Sequence, residues 1–291
     1  MRIGVAQWVD GSPARGLEFV QELAVALEDL GYASYWAADH VVLMDHFTSR
    51  YPYAHDGAFP FQPDQAFLEP LHVMGAAAAA TTRLRVGTGV DILPLRNPVV
   101  RAKDIATLDV LSHGRVDYGI GIGWLREEFE ALGMPFERRG PRCDEMLAVM
   151  KALWTMDRPA FSGEFYRFPE VTFWPKPSQE PHPPILVGGN SRAAMRRAAR
   201  LGDGWYALGL DGDQLAEHLV ALDAELAAVG RGRDEGFAVH VASGGLSDPQ
   251  AIVEYVRDIA PHGPDEVIIG PPLSRRRFRE QLEALAGPLG L

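Results

Sequence analysis

The chain has 291 residues, of which 47% are hydrophobic and 23% charged, and 28 Lys and Arg against 39 Asp and Glu give a formal net charge of −11. These proportions are typical of a soluble globular protein, and the acidic balance argues against nucleic-acid binding, which requires a basic face. Cys143 is the single cysteine, which excludes an intramolecular disulfide and favours a reducing, cytoplasmic compartment, and the apolar stretch at Val73–Ala80 is too short to cross a membrane.

Short β-branched runs alternate with helical patterns from one end of the chain to the other. The predicted strands are Arg2–Trp8, Ala33–Ala38, Leu84–Asp91, Val116–Ile122, Ile185–Gly188, Gly204–Leu208, Phe237–Ala242 and Glu266–Gly270. The predicted helices are Leu17–Leu30, Leu68–Ala80, Val99–Leu111, Arg126–Leu132, Arg192–Leu201, Gln214–Val229, Pro249–Ile259 and Arg275–Leu285. Eight such repeats favour a (β/α)8 TIM barrel, formed by residues 1–291 as a single domain, over an open sheet, because all eight can share one closed core.

Two connections are too long for ordinary barrel loops and predict insertions after strands two and four. The first, Val41–Ala66, is rich in aromatic residues and follows strand two, so we interpret it as a lid or substrate wall over the C-terminal mouth; a surface ornament is the alternative. The second, Pro135–Pro184, contains a predicted helix near Cys143–Trp154 and a hairpin between Phe161 and Phe173.

Strand two ends in Asp39 and His40, which places a carboxylate and an imidazole at the predicted barrel mouth. An imidazole suits proton transfer near neutral pH, which makes His40 the candidate catalytic residue, although a single histidine also has a structural interpretation. Asp39 is expected to orient the ring or to bind a ligand hydroxyl.

Glycine-rich strand ends are the next candidates for ligand contact. Strand three contains Gly87 and Gly89, which predict a bulge or a close approach of the backbone to a ligand. Strand four ends in Gly119-Ile120-Gly121-Ile122-Gly123-Trp124, for which close packing and cofactor contact are equally good explanations. The spacing is not that of a dinucleotide-binding fingerprint.

The segment Gly188-Gly189-Asn190-Ser191-Arg192 predicts an anion site at the start of a helix. Paired glycines let backbone amides converge, Asn190 or Ser191 caps the helix, and Arg192 adds positive charge, so a phosphate group fits. An ordinary capped turn is the alternative.

Metal hydrolysis, esterase chemistry and phosphoryl transfer lack their usual motifs, so no metal site is predicted. A glycosidase needs facing carboxylates, whereas the adjacent Glu127 and Glu128 point apart on a helix.

Taken together, these stretches resemble the bacterial luciferase-like oxidoreductases that use a flavin or a deazaflavin. The resemblance rests on Arg2–Trp8, Trp36–His40, Val86–Val90 with Arg96-Asn97-Pro98, Ala106–Arg115, Gly119–Trp124 with Glu127-Glu128-Phe129, and Pro183–Asn190. Within that superfamily, Trp174-Pro175-Lys176-Pro177 and Pro181-His182-Pro183-Pro184 look most like the branch that uses coenzyme F-420.

The resemblance implies a flat tricyclic ring at the barrel mouth, a phosphate tail at the glycine turn and a non-prolyl cis peptide at Gly89-Val90. It implies that Asp39 contacts the coenzyme and that His40 exchanges a proton with the substrate. The residues that it assigns to coenzyme binding are Asp39, Gly89, Val90, Gly123, Trp124, Glu127, Gly188, Gly189, Asn190, Ser191 and Arg192. Trp124 stands where sugar-phosphate-oxidising relatives carry a glutamate, so the resemblance does not extend to that substrate class.

The expected function is therefore hydride transfer between coenzyme F-420 and a small organic substrate, with His40 handling the proton. The alternatives are an FMN-dependent monooxygenase, in which reduced flavin activates dioxygen, and a coenzyme-binding protein without turnover. Arginine outnumbers lysine 25 to 3, which suggests a GC-rich genome and favours the deazaflavin. The expected partners are a small-molecule substrate and a second copy of the chain in a homodimer, with no nucleic acid and no membrane.

Overall fold

The computed structural model describes residues 1–7, 16–60, 67–246 and 248–291. Its strands are β1 (Arg2–Ala6), β2 (Ser34–Ala37), β3 (Arg85–Thr88), β4 (Asp91–Ile92), β5 (Val116–Gly121), β6 (Phe161–Ser162), β7 (Arg167–Phe168), β8 (Ile185–Gly188), β9 (Gly204–Leu208), β10 (Ala238–Ala242) and β11 (Glu266–Ile269). Its helices are α1 (Leu17–Asp29), α2 (Pro70–Ala80), α3 (Pro98–Leu111), α4 (Arg126–Ala131), α5 (Arg139–Thr155), α6 (Arg192–Leu201), α7 (Gly212–Ala227), α8 (Pro249–Ile259) and α9 (Phe278–Leu289). Trp8, predicted to end the first strand, and residues 61–66 of the long first connection lie outside the described residues.

Eight of the strands form a closed parallel barrel in the order β1, β2, β3, β5, β8, β9, β10 and β11. β1 pairs with β11 from Arg2 opposite Glu266, and the β3–β5 pairing at Val86 and Val116 closes the sheet on itself. The predicted (β/α)8 barrel is confirmed. All eight barrel strands run in the same direction, so their C-terminal ends meet at one rim, which we call the mouth.

Apolar side chains pack on both faces of the barrel wall. The larger layer lies between strands and helices, as α7 illustrates: its four leucines at helical spacing are all buried. A capping box between Asp211 and Gln214 fixes where that helix begins. The smaller layer fills the barrel interior with Trp36, Leu186, Tyr206, Ala242 and Ile268. Burying each large apolar side chain contributes about 1.5–3 kcal/mol, so both layers stabilise the barrel that carries the mouth.

Two insertions interrupt the regular alternation. Residues 38–69 connect β2 to α2, and α5 with the β6–β7 hairpin lies between α4 and β8. The indole of Trp154 on α5 donates a hydrogen bond of 2.9 Å to the carbonyl oxygen of Ala102, which attaches this helix to α3. Among the described residues, every helix is too short or too polar to cross a bilayer.

Several predicted elements begin or end one or two residues away from the bounds in the structure, and two differ by more. The predicted strand Leu84–Asp91 ends at Thr88, and pairing resumes with β4 beyond a cis peptide bond between Gly89 and Val90. The last helix begins at Phe278 instead of Arg275, since Arg275 pairs with Glu22 of α1 at 2.5 Å. Arg275, Arg276 and Arg277 therefore precede this helix, and Arg279 lies in its first turn.

Candidate active site

His40 lies at the mouth and is held by a buried carboxylate. Its Nδ1 is 3.0 Å from Oε2 of Glu128, and the other carboxylate oxygen accepts hydrogen bonds from the backbone amides of Val41 at 2.7 Å and Val42 at 3.3 Å. The Glu128 side chain is 1% exposed. A carboxylate has no hydrogen to donate, so it also accepts in its contact with the imidazole. This contact therefore places a proton of the imidazole on Nδ1. The Nε2 atom of His40 forms no hydrogen bond within the described ranges.

Aromatic rings surround the imidazole. Phe59 and Phe67 lie with their ring centroids 5.3 and 5.5 Å from that of His40, and Trp124 lies at 6.2 Å. Phe59 also packs on Trp124 at 5.1 Å. Residues 41–60, which we call the mouth loop, therefore contact the segment that follows β5. Its role as a lid or substrate wall stays a prediction.

Glu127 anchors the mouth loop from the first turn of α4. Its carboxylate accepts hydrogen bonds from the amide and hydroxyl of Thr48 at 2.6 and 2.9 Å, and from those of Ser49 at 3.2 and 2.7 Å. Burial raises the pKa of Glu127, but these hydrogen bonds outweigh it and lower the pKa to about 2. The coenzyme contact that the resemblance implies for Glu127 stays a prediction; in the structure this carboxylate holds the loop.

The cis peptide at Gly89-Val90 is present, as the resemblance implied. The Val90 side chain lies over glycines of the neighbouring strands: a methyl group added to Gly121 would be 2.7 Å from one Val90 methyl carbon, and one on Gly188 would be 2.9 Å from the other. Gly121 and Gly188 thus make room for Val90, which favours the packing explanation for the glycine-rich end of β5. Gly123 has a φ of +76°, and a side chain there would meet Phe129.

Asp39 belongs to a buried charge network behind the mouth. One oxygen accepts a hydrogen bond from the amide of Ile92 at 2.8 Å and the other contacts Arg96 at 2.7 Å. Arg96 also pairs with Glu69, which in turn contacts Arg101. Burial, with the nearby Asp91 carboxylate, raises the pKa of Asp39 to about 8 despite the opposing effect of Arg96. In the structure Asp39 holds the start of β4 through Ile92; the coenzyme contact that the resemblance implies for Asp39 stays a prediction.

The predicted anion site lies where β8 ends and α6 begins. Gly189 has a φ of +117°, and the side chain of Asn190 is paired on both of its polar atoms with the backbone of Leu208, at 2.7 and 3.1 Å. Ser191 caps α6 by accepting from the amide of Ala194. The backbone amides of Asn190 and Ser191 form no hydrogen bond within the described part of the chain. The turn thus offers two backbone donors to an anion, while the side chain of Asn190 is already paired with Leu208.

The arginines near this turn are partly committed to other groups. The Nε atoms of Arg192 and Arg196 contact the two oxygens of Glu225 at 2.8 and 3.1 Å, and Arg192 remains 74% exposed. Arg126, in the first turn of α4, pairs with Glu137 at 2.6 Å. Arg192 is therefore the cation best placed to reach a phosphate bound at the turn.

The structure brings the sequence-predicted residues into two adjoining groups. His40 and Trp124 form one, and Val90 with Gly188 and Gly189 forms the other. The mouth loop contacts both, because the Tyr53 hydroxyl would be 3.5 Å from a methyl group on Gly189. Sequence reasoning missed Glu128; the available signal was a second glutamate in the first turn of the helix after a barrel strand.

The site also lies beside Tyr206, which sequence reasoning did not single out. A methyl group on Gly89 would be 2.6 Å from the Tyr206 hydroxyl oxygen, so this hydroxyl sits at the floor of the mouth beside the cis peptide. Burial raises the pKa of Tyr206, with a smaller contribution from Glu266, so the phenol stays protonated and can donate a hydrogen bond.

Comparisons with known proteins give the context of this site. A family model described as luciferase-like monooxygenase matches residues 1–287. An uncharacterized protein of Mycobacterium tuberculosis is 38% identical over 257 residues, covering 87% of this chain and 84% of its own. The FMNH2-dependent dimethylsulfone monooxygenase of Pseudomonas putida is 40% identical over 141 residues, which are 47% of this chain and 38% of that enzyme. The coenzyme F-420 dependent tetrahydromethanopterin reductase of Methanopyrus kandleri has a similar fold, with a TM-score of 0.76 and 15% identity over 99% of this chain and 98% of that one.

Proposed function

The chain belongs to the luciferase-like monooxygenase family, and we propose that it is an oxidoreductase that moves a hydride between coenzyme F-420 and a small organic substrate. The observation that carries the proposal is the pairing of His40 with Glu128 at 3.0 Å. Oxidation of an alcohol releases a proton as well as a hydride, and the mouth contains a residue arranged to take that proton.

The hydrogen-bond pattern around Glu128 supports a proton-transfer role for His40. With its proton on Nδ1 and donated to Glu128, the imidazole presents an unprotonated Nε2, which accepts a proton from a substrate hydroxyl. The carboxylate then stabilises the imidazolium that forms, as expected for a buried acid beside a catalytic histidine. In the reverse direction, the same Nε2 returns the proton to the substrate oxygen.

The residues at the mouth fit a flat coenzyme with a phosphate tail. The glycine turn presents the amides of Asn190 and Ser191 at the beginning of α6, with the exposed Arg192 nearby, and this donor set suits a phosphate. The Gly89-Val90 peptide, Gly123 and Trp124 would line the ring. When bound, the coenzyme supplies the redox chemistry, while the protein orients the substrate, excludes water with the mouth loop and moves the proton.

A reduced-FMN monooxygenase is the second candidate, and the relative in Pseudomonas putida supports it. The same mouth residues accept either ring. We favour the deazaflavin because of the proline-rich Trp174–Pro177 and Pro181–Pro184 segments, and we further propose a homodimer acting in the cytoplasm.

Anaerobic titration with oxidised F-420 and with FMN tests the proposal. We expect F-420 to bind with a micromolar or lower dissociation constant, FMN to bind more weakly, and the complex with reduced F-420 to consume no oxygen in air. Tight FMN binding with substrate-dependent oxygen uptake would instead establish the monooxygenase.

The Ser191→Asp variant tests the position of the phosphate. One added like charge costs about 1–4 kcal/mol, so F-420 affinity should fall at least tenfold. Ser191→Asn keeps a capping residue without the charge and is the matched control; equal affinities of the two variants would contradict the phosphate assignment.

A further inference from the structure

We propose that the space beside His40 takes an uncharged substrate, with an apolar body and a single hydroxyl or carbonyl oxygen directed at Nε2. This assignment of a substrate class rests on the proposed function, because it uses His40 as the proton-transfer residue. Three features of the mouth lead to it: an apolar wall, ring faces that are already covered, and an excess of carboxylates that are satisfied by protein donors.

The wall around His40 is aromatic. Besides the three rings next to the imidazole, Phe47 and Tyr51 pack on Trp124 with centroid distances of 5.7 and 5.3 Å. An apolar body of a substrate that contacts these rings loses little hydration and gains dispersion contacts, whereas a charged group there would lose its water without a replacement.

The rings also meet one another mainly edge to face. Trp124 makes interplanar angles of 83° with His40, 74° with Phe47 and 69° with Tyr51. Ring edges consequently cover part of the ring faces that a bound cation would need. This arrangement argues against a substrate that places an ammonium group against these rings.

The charges behind the wall argue against an anion. The carboxylates close to the mouth are Asp39, Glu69, Asp91, Glu127 and Glu128, and the guanidinium groups that pair with them are Arg96 and Arg101. Carboxylates exceed cations even if Asp39 is neutral. Each carboxylate accepts at least two hydrogen bonds or ion-pair contacts from the chain, so the network needs no ligand to complete it. An anionic substrate beside these five carboxylates would be repelled, and the guanidinium groups of Arg96 and Arg101 are already paired with them.

The polar contact left for a substrate is correspondingly small. Nδ1 of His40 is used by Glu128, which leaves Nε2 as the atom of that ring which can bind an oxygen. A substrate hydroxyl donates to the unprotonated Nε2, and the oxygen of the carbonyl counterpart accepts from Nε2 when the ring is protonated; the rest of the molecule faces rings. The substrate class that matches the mouth is therefore a neutral, mainly apolar alcohol or its carbonyl counterpart.

Calorimetric titration with matched ligands tests the class. Each set has a common carbinol core: 1-phenylethanol is neutral, mandelate carries a carboxylate and 2-amino-1-phenylethanol carries an ammonium. Equivalent sets with cyclohexyl and n-butyl bodies cover size. The titrations are run on the purified protein and again with saturating oxidised F-420. In at least one set we expect the neutral ligand to bind at least tenfold more tightly than both of its charged counterparts.

The Phe47→Lys variant adds a cation to the half-buried rim of the wall, and Phe47→Met is its uncharged control. We expect lysine to reduce the preference for 1-phenylethanol over mandelate at least threefold, and methionine to leave it within twofold. Mandelate or the amine binding the unmodified protein as tightly as the neutral ligand overturns the class, as does failure of all nine ligands to bind. Coenzyme titration is read separately, so selective binding of neutral ligands without F-420 binding would refute the proposed function and keep the class.

Discussion

Replacing Glu128 with glutamine changes one oxygen of the carboxylate that holds His40. In Glu128→Gln, the amide oxygen can still accept from the backbone amides of Val41 and Val42, which donate to one oxygen of the native carboxylate at 2.7 and 3.3 Å. The opposite rotamer would point an NH2 group at two N–H donors and is therefore disfavoured. The side-chain NH2 then faces Nδ1 of His40, which must accept instead of donate. The imidazole proton moves to Nε2, the atom assigned to take the substrate proton.

The expected loss follows from the size of a general-base contribution. A correctly placed base accelerates proton transfer about 10²–10⁴-fold, and the wrong tautomer removes most of this effect. We expect kcat for alcohol oxidation to fall by about 10²–10⁴ while the dissociation constant for F-420 changes less than about twofold, because Glu128 does not line the phosphate turn. Stability should fall by about 1 kcal/mol, since a charge-assisted hydrogen bond becomes a neutral one.

The assay combines kinetics with a direct readout of the tautomer. Turnover is measured at saturating substrate, and the nitrogen chemical shifts of His40 report which ring atom carries the proton. His40→Asn should lower turnover about a hundredfold or more, and adding Glu128→Gln to it should have little further effect, since both substitutions remove one function. Glu127→Gln is the neighbouring control: it alters the loop anchor and should leave the His40 tautomer unchanged.

The reasoning fails if Glu128→Gln retains full turnover, or if the His40 proton stays on Nδ1. Additive losses in the double variant would also contradict it, because they would mean that Glu128 acts on something other than the imidazole. A drop confined to KM, with kcat unchanged, would assign the pair to substrate binding.

Two further predictions concern the loop and the barrel wall. The pKa of Glu127 is lowered to about 2 from an ordinary value of 4.5, so the stability that it gives the mouth loop is complete above pH 4.5 and is lost as the pH falls toward 2. The protection factor of the Thr48 amide against hydrogen exchange, which is corrected for the intrinsic pH dependence, should fall over that window, and a constant protection factor would remove Glu127 as the anchor. Gly121→Ala places a methyl group 2.7 Å from a Val90 methyl carbon and should destabilise the protein by about 1–3 kcal/mol in denaturant unfolding. Gly75→Ala, where a methyl group inside α2 meets Leu108 at an ordinary 3.9 Å, should stabilise it by about 0.5–1 kcal/mol, and the same sign for both would refute the packing argument.

The repeated elements could be predicted from the sequence because their signals are local. Strands β8 and β9 and helices α6 and α8 have the predicted bounds, since β-branched runs and capped amphipathic repeats are written in consecutive residues. The interruption after Thr88 was harder to place, because a glycine-containing strand predicts either a bulge or a continuous strand.

The long-range contacts could not be predicted in the same way. His40 and Glu128 are 88 positions apart, and nothing in their local patterns connects them. The sequence does indicate that Glu127 and Glu128 point apart on a helix, but which of them faces the barrel depends on how α4 packs. The glycines of β5 illustrate the same problem: their role is clear only when Val90 is seen lying over Gly121.

The two adjacent glutamates couple the mouth loop to the proton-transfer residue. Glu128 accepts hydrogen bonds from the amides of Val41 and Val42 at the beginning of the loop, and Glu127 holds Thr48 and its neighbour farther along. A single turn of α4 therefore fixes the loop at two points. The Glu128 carboxylate, which holds the first point, also orients His40. Opening the loop at its beginning would remove the two backbone donors that hold the Glu128 carboxylate in position. The orientation of the His40 ring therefore depends on a closed mouth. If His40 acts in proton transfer as proposed, this dependence would confine that step to the state in which the aromatic wall excludes water.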